Sequence, residues 1–150
     1  MKEVENKLIL EFCKNFITWI KNESIFQHNV YLDKRNPFNS GKSMAYYQVY
    51  HTLQQQAEAF LIPLEILDFN DLYEKDFLSM KKIILPERKF IECIPLEYQQ
   101  STISWIKDYM WVINTEIECV YCNNKLDAYD QGQRNASEEI LSYMEKKQRT

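Results

Sequence analysis

The sequence predicts an all-α fold, a compact bundle of four to five helices around a long central helix at about residues 96–122. Apolar residues recur every three or four positions over several long stretches, which is the spacing of one face of an α-helix. Only two glycines and four prolines occur among 150 residues, too few turn-forming residues for a many-stranded β fold. The length suits a single helical domain, residues 1–150, whose core needs neither disulfides nor metals.

Composition and charge restrict the classes of function. The chain is acidic, with a net charge of −4, and its lysines and arginines form no stripe, which argues against nucleic-acid binding. Charged residues interrupt the apolar residues at the start, and no run of about 20 apolar residues exists, so we expect neither a signal peptide nor a membrane span. The expected location is the cytoplasm, where the four cysteines are reduced thiols.

The predicted central helix carries two different faces. Its apolar stripe, which we expect to be buried, consists of Ile103, Ile106, Met110, Ile113, Ile117 and Val120. Trp111 falls on the opposite, polar face, close to Asp108. A tryptophan among polar residues needs a cover, which is either another part of this chain or the surface of a partner.

The first half of the chain predicts two further helices. Residues 2–22 form an amphipathic pattern in which Lys21 belongs to the polar face. Residues 23–43 are expected to be a long connection, because Pro37 and Gly41 oppose a regular helix, with a short strand or turn at residues 29–32 as an alternative. The second helix is predicted over residues 43–61.

Shorter elements are predicted on either side of the central helix. Pro63 suits the first position of a short helix at residues 64–67, and Asp71 suits the cap of a helix at residues 72–80. Two apolar runs within residues 82–94 predict either a small β-hairpin or irregular coil. Residues 123–132 are polar and expected to be a loop, after which Asn135 caps the last helix.

Two motif-like patterns lack the parts that their chemistry needs. Residues 36–43 end in the Gly-Lys-Ser of a phosphate-binding loop, but the glycine required at position 36 is an asparagine. The acidic residues that begin at Asp68 do not follow the ligand spacing of a calcium-binding EF-hand, so we interpret them as a solvated acidic turn.

Two sets of residues provide alternative chemistry. Cys119 and Cys122, three residues apart, are able to bind one metal ion or form a disulfide, although a structural zinc site needs four ligands and this pair closes a helix instead of opening one. Tyr47, His51, Gln54 and Glu58 are spaced four, three and four along the second helix, where His51 is a candidate general base. The ordinary interpretations are two free thiols for the cysteines, and for the second set either a polar surface row or a buried network under another helix.

The function predicted from the sequence is binding of another protein. We expect a non-enzymatic small intracellular protein, such as an inhibitor, an immunity-type protein or an assembly subunit, whose partner is another protein or a second copy of itself. No cofactor, metal or catalytic residue is expected. The candidate contact residues are Trp111, Asp108, Tyr47 and His51. The alternatives are a thiol or metal-binding protein using Cys119 and Cys122, and a small enzyme using His51.

Overall fold

Helices account for nearly all regular structure in the computed structural model of this chain. The structure describes residues 2–84, 93–121 and 127–148, with side chains described in the fourth α-helix only as far as residue 110 and in the fifth only as far as residue 145. The elements are α1 (Lys2–Asp33), α2 (Pro37–Ala59), a 3-10 helix (Leu64–Leu67), α3 (Glu74–Leu78), α4 (Leu96–Tyr121) and α5 (Ala128–Gln148). The described residues contain no β-strand, which confirms the predicted all-α bundle.

Helix α1 is longer than predicted, because it continues to Asp33 and not only to residue 22. The extension was missed because its buried face is polar: Ser24, Gln27 and His28 are all buried. The Ser24 hydroxyl contacts the carbonyl oxygens of Ile20 (2.7 Å) and Tyr46 (3.1 Å). The helix therefore continues where its hydrophobic periodicity stops.

The predicted long connection at residues 23–43 is also wrong, since only residues 34–36 separate α1 from α2. Pro37 occupies the first turn of α2, where its missing N–H costs nothing. The Asn36 side chain caps the helix by accepting a hydrogen bond from the Asn39 N–H (2.8 Å). Proline here starts a helix instead of preventing one.

Helix α5 begins at Ala128, so the predicted start at Asn135 is wrong. The Asp127 carboxylate accepts a hydrogen bond from the Asp130 N–H (2.7 Å) and caps the first turn. Gly132 consequently lies inside a helix and not in a loop. Residues 123–126 of the predicted polar loop lie outside the described residues.

The two glycines lie where α2 packs closely against α5. A Cβ atom added to Gly41 would lie 2.0 Å from the Tyr129 carbonyl oxygen, and one added to Gly132 would lie 2.0 Å from the Phe38 carbonyl oxygen. Both glycines are therefore required by the close approach of two helix backbones, and neither makes a turn.

Helix α4 matches the prediction closely, at Leu96–Tyr121 against 96–122. Ile103 and Ile106 of its apolar stripe are buried, together with Trp105 and Tyr109. One hydrophobic core includes buried residues of α1, α2, α4 and α5. No helix in the described part of the chain is long and apolar enough to cross a membrane.

The segment between α2 and α4 follows the prediction in part. The 3-10 helix Leu64–Leu67 is confirmed, whereas the helix predicted at residues 72–80 is the single turn α3, Glu74–Leu78. Asp71 does not cap it; the Asp76 carboxylate accepts a hydrogen bond from the Tyr73 N–H (2.8 Å) instead. The predicted hairpin falls mainly on residues 85–92, outside the described residues, and residues 82–84 and 93–95 have no regular secondary structure.

Candidate functional site

The four polar residues predicted to form a row on α2 do not share one site in the structure. Tyr47 and His51 remain neighbours, with their rings stacked at 5.5 Å and an interplanar angle of 18°. Gln54 is buried, and its amide donates to the carbonyl oxygens of Phe69 (2.8 Å) and Leu72 (3.0 Å). Glu58 is exposed. Gln54 therefore holds a loop and does not join His51 in a common site.

Helix α3 packs the Phe77 ring against Tyr47. The Phe77 ring lies 5.0 Å from Tyr47, 5.8 Å from Tyr50 and 5.8 Å from His28, measured between ring centroids. We call Phe77, Tyr47, Tyr50, His28 and His51 the Phe77 cluster. It includes both histidines of the chain, which come from α1 and α2 and lie 23 positions apart in the sequence.

Tyr47 and His51 differ in the polar contacts that they make within the Phe77 cluster. Burial raises the pKa of the Tyr47 phenol, and the charge of Glu74 and a hydrogen bond to its carboxylate raise it further. The phenol therefore stays protonated and donates to Glu74. The His51 Nδ1 atom is buried and has no hydrogen-bond partner among the described residues. A base oriented by a third group, the usual arrangement for an activated nucleophile, is not formed here.

His28 has a structural role in the same cluster. Its Nε2–H donates to the Lys81 carbonyl oxygen (3.2 Å). The side chain of the next residue, Asn29, both donates to the Ile83 carbonyl oxygen (3.0 Å) and accepts from the Ile83 N–H (2.9 Å). These bonds attach residues 73–84, which we call the strap, to the outside of α1. Among the described residues, no group of three or more histidine, cysteine or acidic side chains is placed to hold a metal ion.

Lys21 was predicted to lie on the polar face of the first helix, but it is buried. Its side chain is buried, and its Nζ donates to the Asp68 carbonyl oxygen (2.8 Å) and lies 3.2 Å from the Asp68 carboxylate. It also forms an ion pair with Asp71. The acidic turn is therefore not simply solvated, because a buried cation organises it. Lys21 lies four residues after Ile17 and four before Ile25, and both isoleucines are buried. This spacing places Lys21 on the same side of the helix and was the signal in the sequence for its burial.

The remaining predicted residues are less defined. Asp108 is exposed on α4. Trp111 and Cys119 lie within α4, but their side chains are outside the described residues, and Cys122 lies outside altogether. The pairing or metal binding predicted for the two cysteines is therefore still a prediction. Of the other cysteines, Cys13 is buried, which raises the pKa of its thiol, and Cys93 is exposed.

Large apolar side chains are exposed on the strap and on the adjacent part of α1. The exposed fractions are 58% for Phe26, 65% for Leu78, 59% for Met80 and 88% for Ile84. We call these four residues the strap patch. Ile83 is hydrogen-bonded to Asn29, and Lys82 forms an ion pair with Asp33 (2.6 Å). The end of the strap therefore runs beside the last turns of α1. Phe26 lies one turn before Asn29, on the side of α1 along which the strap runs.

A groove between α1 and α5 is the other notable surface feature. It has a volume of about 370 Å³ and is lined by Trp19, Asn135, Glu138, Glu139, Ser142 and Tyr143. The Trp19 and Tyr143 rings are stacked at 4.3 Å with an interplanar angle of 11°. We call it the aromatic groove. Nothing in the sequence pattern indicated it, because its two walls are more than 100 residues apart.

No protein family, curated protein or solved structure matches this chain.

Proposed function

We propose that this chain is a non-enzymatic protein that acts by binding another protein, and that the strap patch is part of the interface. The observation that supports this proposal is the exposure of Phe26, Leu78, Met80 and Ile84, each more than half accessible to solvent. Single exposed apolar residues are common on protein surfaces, but several large ones on one segment are typical of interaction sites. Methionine suits such a surface because its flexible side chain adapts to a partner.

The strap patch is held in place before any partner binds. The two hydrogen bonds between Asn29 and Ile83 and the contact from His28 to Lys81 fix the end of the strap, and Phe77 anchors α3 in the Phe77 cluster. A preformed surface loses little conformational entropy on association, so more of the energy gained by burying its apolar area contributes to affinity.

The proposed interface modifies the set of contact residues predicted from the sequence. Tyr47 and His51 are half-buried, with Phe77 packed against the Tyr47 ring, whereas Leu78 and Met80 are exposed and offer more surface to a partner. Asp108 is exposed and stays a candidate. Trp111 also stays a prediction, which a Trp111→Ala variant tests. An inhibitor, an immunity-type protein and an assembly subunit all work through a surface of this kind.

The proposal is tested by replacing the apolar side chains of the strap. We expect the triple variant Leu78→Ser, Met80→Ser, Ile84→Ser to weaken binding of its partner by at least about tenfold, since interface anchors are commonly worth more than about 1 kcal/mol each. The measurement is quantitative recovery of bound proteins from a lysate of the source cells. Sedimentation of the purified chain detects a second copy as partner.

The matched control is the triple variant Val4→Ser, Leu8→Ser, Leu61→Ser, which removes three exposed apolar side chains elsewhere. Its partner recovery should equal that of the unmodified chain. If the two triple variants recover the same proteins in equal amounts, the strap patch is not the interface.

A further inference from the structure

The floor of the aromatic groove is a fixed aromatic surface. Trp19 is stacked on Tyr143, the Tyr46 ring meets Trp19 edge-on at 6.0 Å, and Phe16 lies 6.0 Å from Tyr143. Trp19 and Tyr143 are nevertheless only half-buried, so part of each side chain faces the groove. The contacts from Tyr46 and Phe16 hold the two rings in position without covering them completely.

The α5 wall of the groove is acidic and polar. Asn135, Glu138 and Ser142 are spaced three and four residues apart, so they follow one another along the same face of α5. The Glu139 carboxylate is already occupied, by Lys42 (2.8 Å) and by the Tyr46 hydroxyl (2.9 Å). Glu138 is different, because the nearest cationic atom, Arg134 Nε, lies 3.9 Å away, beyond hydrogen-bond distance. Its exposed carboxylate can therefore still accept hydrogen bonds.

Negative charge reaches the groove from α1 as well. Glu23 follows Trp19 by one turn. Burial raises the pKa of the Tyr46 phenol, and the nearby charges of Glu139 and Glu23 raise it further. Glu138 and Glu139 thus line the groove, and Glu23 lies close enough for its charge to act on Tyr46. Lys42 pairs with Glu139, and Arg134 lies 3.9 Å from Glu138 on the same helix. An anionic ligand would be repelled, and a purely apolar one would gain nothing from the exposed Glu138 carboxylate.

We infer that the aromatic groove binds the side chain of an arginine presented by a partner protein. The arginine methylenes would lie on Trp19 and Tyr143 while the guanidinium pairs with the Glu138 carboxylate. Arginine suits this site better than lysine, because its planar guanidinium both stacks on aromatic rings and forms two parallel hydrogen bonds with a carboxylate. The net charge of −4 also favours approach of a basic partner. The inference rests on the proposed function, and it adds the chemistry of the partner.

The test uses short synthetic peptides and no natural partner, so its result is independent of the strap experiment. One peptide carries a single arginine between glycine and serine residues, and two matched peptides carry citrulline or lysine instead. Binding is followed through the NMR signal of the Trp19 indole N–H, assigned with a Trp19→Phe variant. We expect a saturable shift with the arginine peptide and about tenfold weaker binding of the citrulline peptide, which has the same shape but no charge.

Two glutamate variants test whether peptide binding depends on the carboxylate in the groove or on the negative charge of the whole protein. Glu138→Gln should weaken binding of the arginine peptide about fivefold or more, whereas Glu58→Gln, an exposed glutamate on α2 twelve residues beyond Tyr46, should not change it. Because Glu138 is exposed, its replacement should leave the fold intact, which circular dichroism verifies. Equal binding of the arginine and citrulline peptides, equal losses in both glutamate variants, or an unshifted Trp19 signal would each overturn the inference. Equal binding of the lysine peptide would overturn its assignment to arginine.

Discussion

Lys21 illustrates how one side chain determines the course of a distant segment. Only 6% of this residue is exposed, and its ammonium group is surrounded by Asp68 and Asp71, about 50 positions later in the chain. Removing a lysine from water is costly unless partners replace its hydration. Here one carbonyl oxygen and two carboxylates do so. The two aspartates remain partly exposed, so part of their own hydration is retained.

We predict that Lys21→Met lowers the free energy of unfolding by about 1–3 kcal/mol, because the buried Asp68 carbonyl loses its donor and both carboxylates lose their cation. Urea unfolding measures the change. Lys82→Met is the matched control, since Lys82 and its partner Asp33 are both more than half exposed, and surface pairs of this kind contribute less than about 1 kcal/mol. A Lys21→Met protein as stable as the unmodified chain would show that an apolar residue serves equally well at this position.

At the scale of elements, α2 and α5 approach each other because each has a glycine at the contact. An alanine follows each glycine by four residues, at Ala45 and Ala136, which continues the small-residue side of each helix. The atoms nearest to the missing Cβ positions are backbone atoms of Tyr129, Phe38 and Lys42. A backbone cannot rotate out of the way as a flexible side chain can.

Gly41→Ala and Gly132→Ala should therefore each destabilise the protein by about 1–3 kcal/mol, the usual cost of overpacking. This is the opposite of the roughly 1 kcal/mol that alanine gains over glycine in an unconstrained helix. Thermal unfolding of each variant measures the effect. Gln48→Ala, an exposed site on α2, is the control and should be neutral or slightly stabilising. A stabilising effect of Gly132→Ala would mean that the two helices are farther apart than described.

Helix α3 is too short to be stable by itself, and none of its residues is fully buried. It is held by the half-buried Phe77 and by contacts to the residues on each side. The Tyr50 hydroxyl donates to the Leu72 carbonyl oxygen (3.0 Å) before the helix, and His28 donates to Lys81 after it. Side chains of α1 and α2 therefore hold the strap in position, and the strap in turn determines where the side chains of the strap patch lie.

At the scale of the whole molecule, buried tyrosines connect the elements. Tyr46, Tyr50 and Tyr109 are almost completely buried, and each hydroxyl has an acceptor on another element: Glu139, the Leu72 carbonyl oxygen and the Val49 carbonyl oxygen (3.0 Å), respectively. Part of the high aromatic content thus has a structural explanation. These side chains fill the core and satisfy polar groups in it at the same time.

This arrangement predicts a loss of stability at alkaline pH. Burial raises the pKa values of Tyr46 and Tyr50 above the ordinary value, with smaller contributions from nearby carboxylates. The unfolded chain then loses these protons first, so the free energy of unfolding is unaffected below about pH 10 and decreases as the pH rises above it. Urea unfolding across this range measures the slope.

The corresponding variants separate the two tyrosines from the remaining eight. Tyr46→Phe and Tyr50→Phe should each make the alkaline decrease less steep, because phenylalanine has no proton to lose. Tyr73→Phe, at an exposed position, should leave the slope unchanged. Equal slopes in all three variants would show that other groups cause the alkaline loss.

The sequence by itself determined the helical class, the bounds of α4 to within one residue, and the buried face of α4 as far as its side chains are described, up to residue 110. It also determined most of the buried face in the first half of α1. It did so because a helix that packs on one side repeats its apolar residues every three or four positions, whatever it packs against. The same rule failed from Ser24 onward in α1, where buried polar side chains interrupt the pattern although the helix continues.

Only the tertiary structure decided which residues meet. A pattern along one chain cannot show that Lys21 faces an acidic turn about 50 residues later, that two glycines oppose each other's helix backbones, or that Trp19 stacks on Tyr143. The strap patch was hidden for the same reason, since exposure depends on what the rest of the chain leaves uncovered. Local spacing determines secondary structure, whereas the candidate surfaces depend on contacts between distant parts of the sequence.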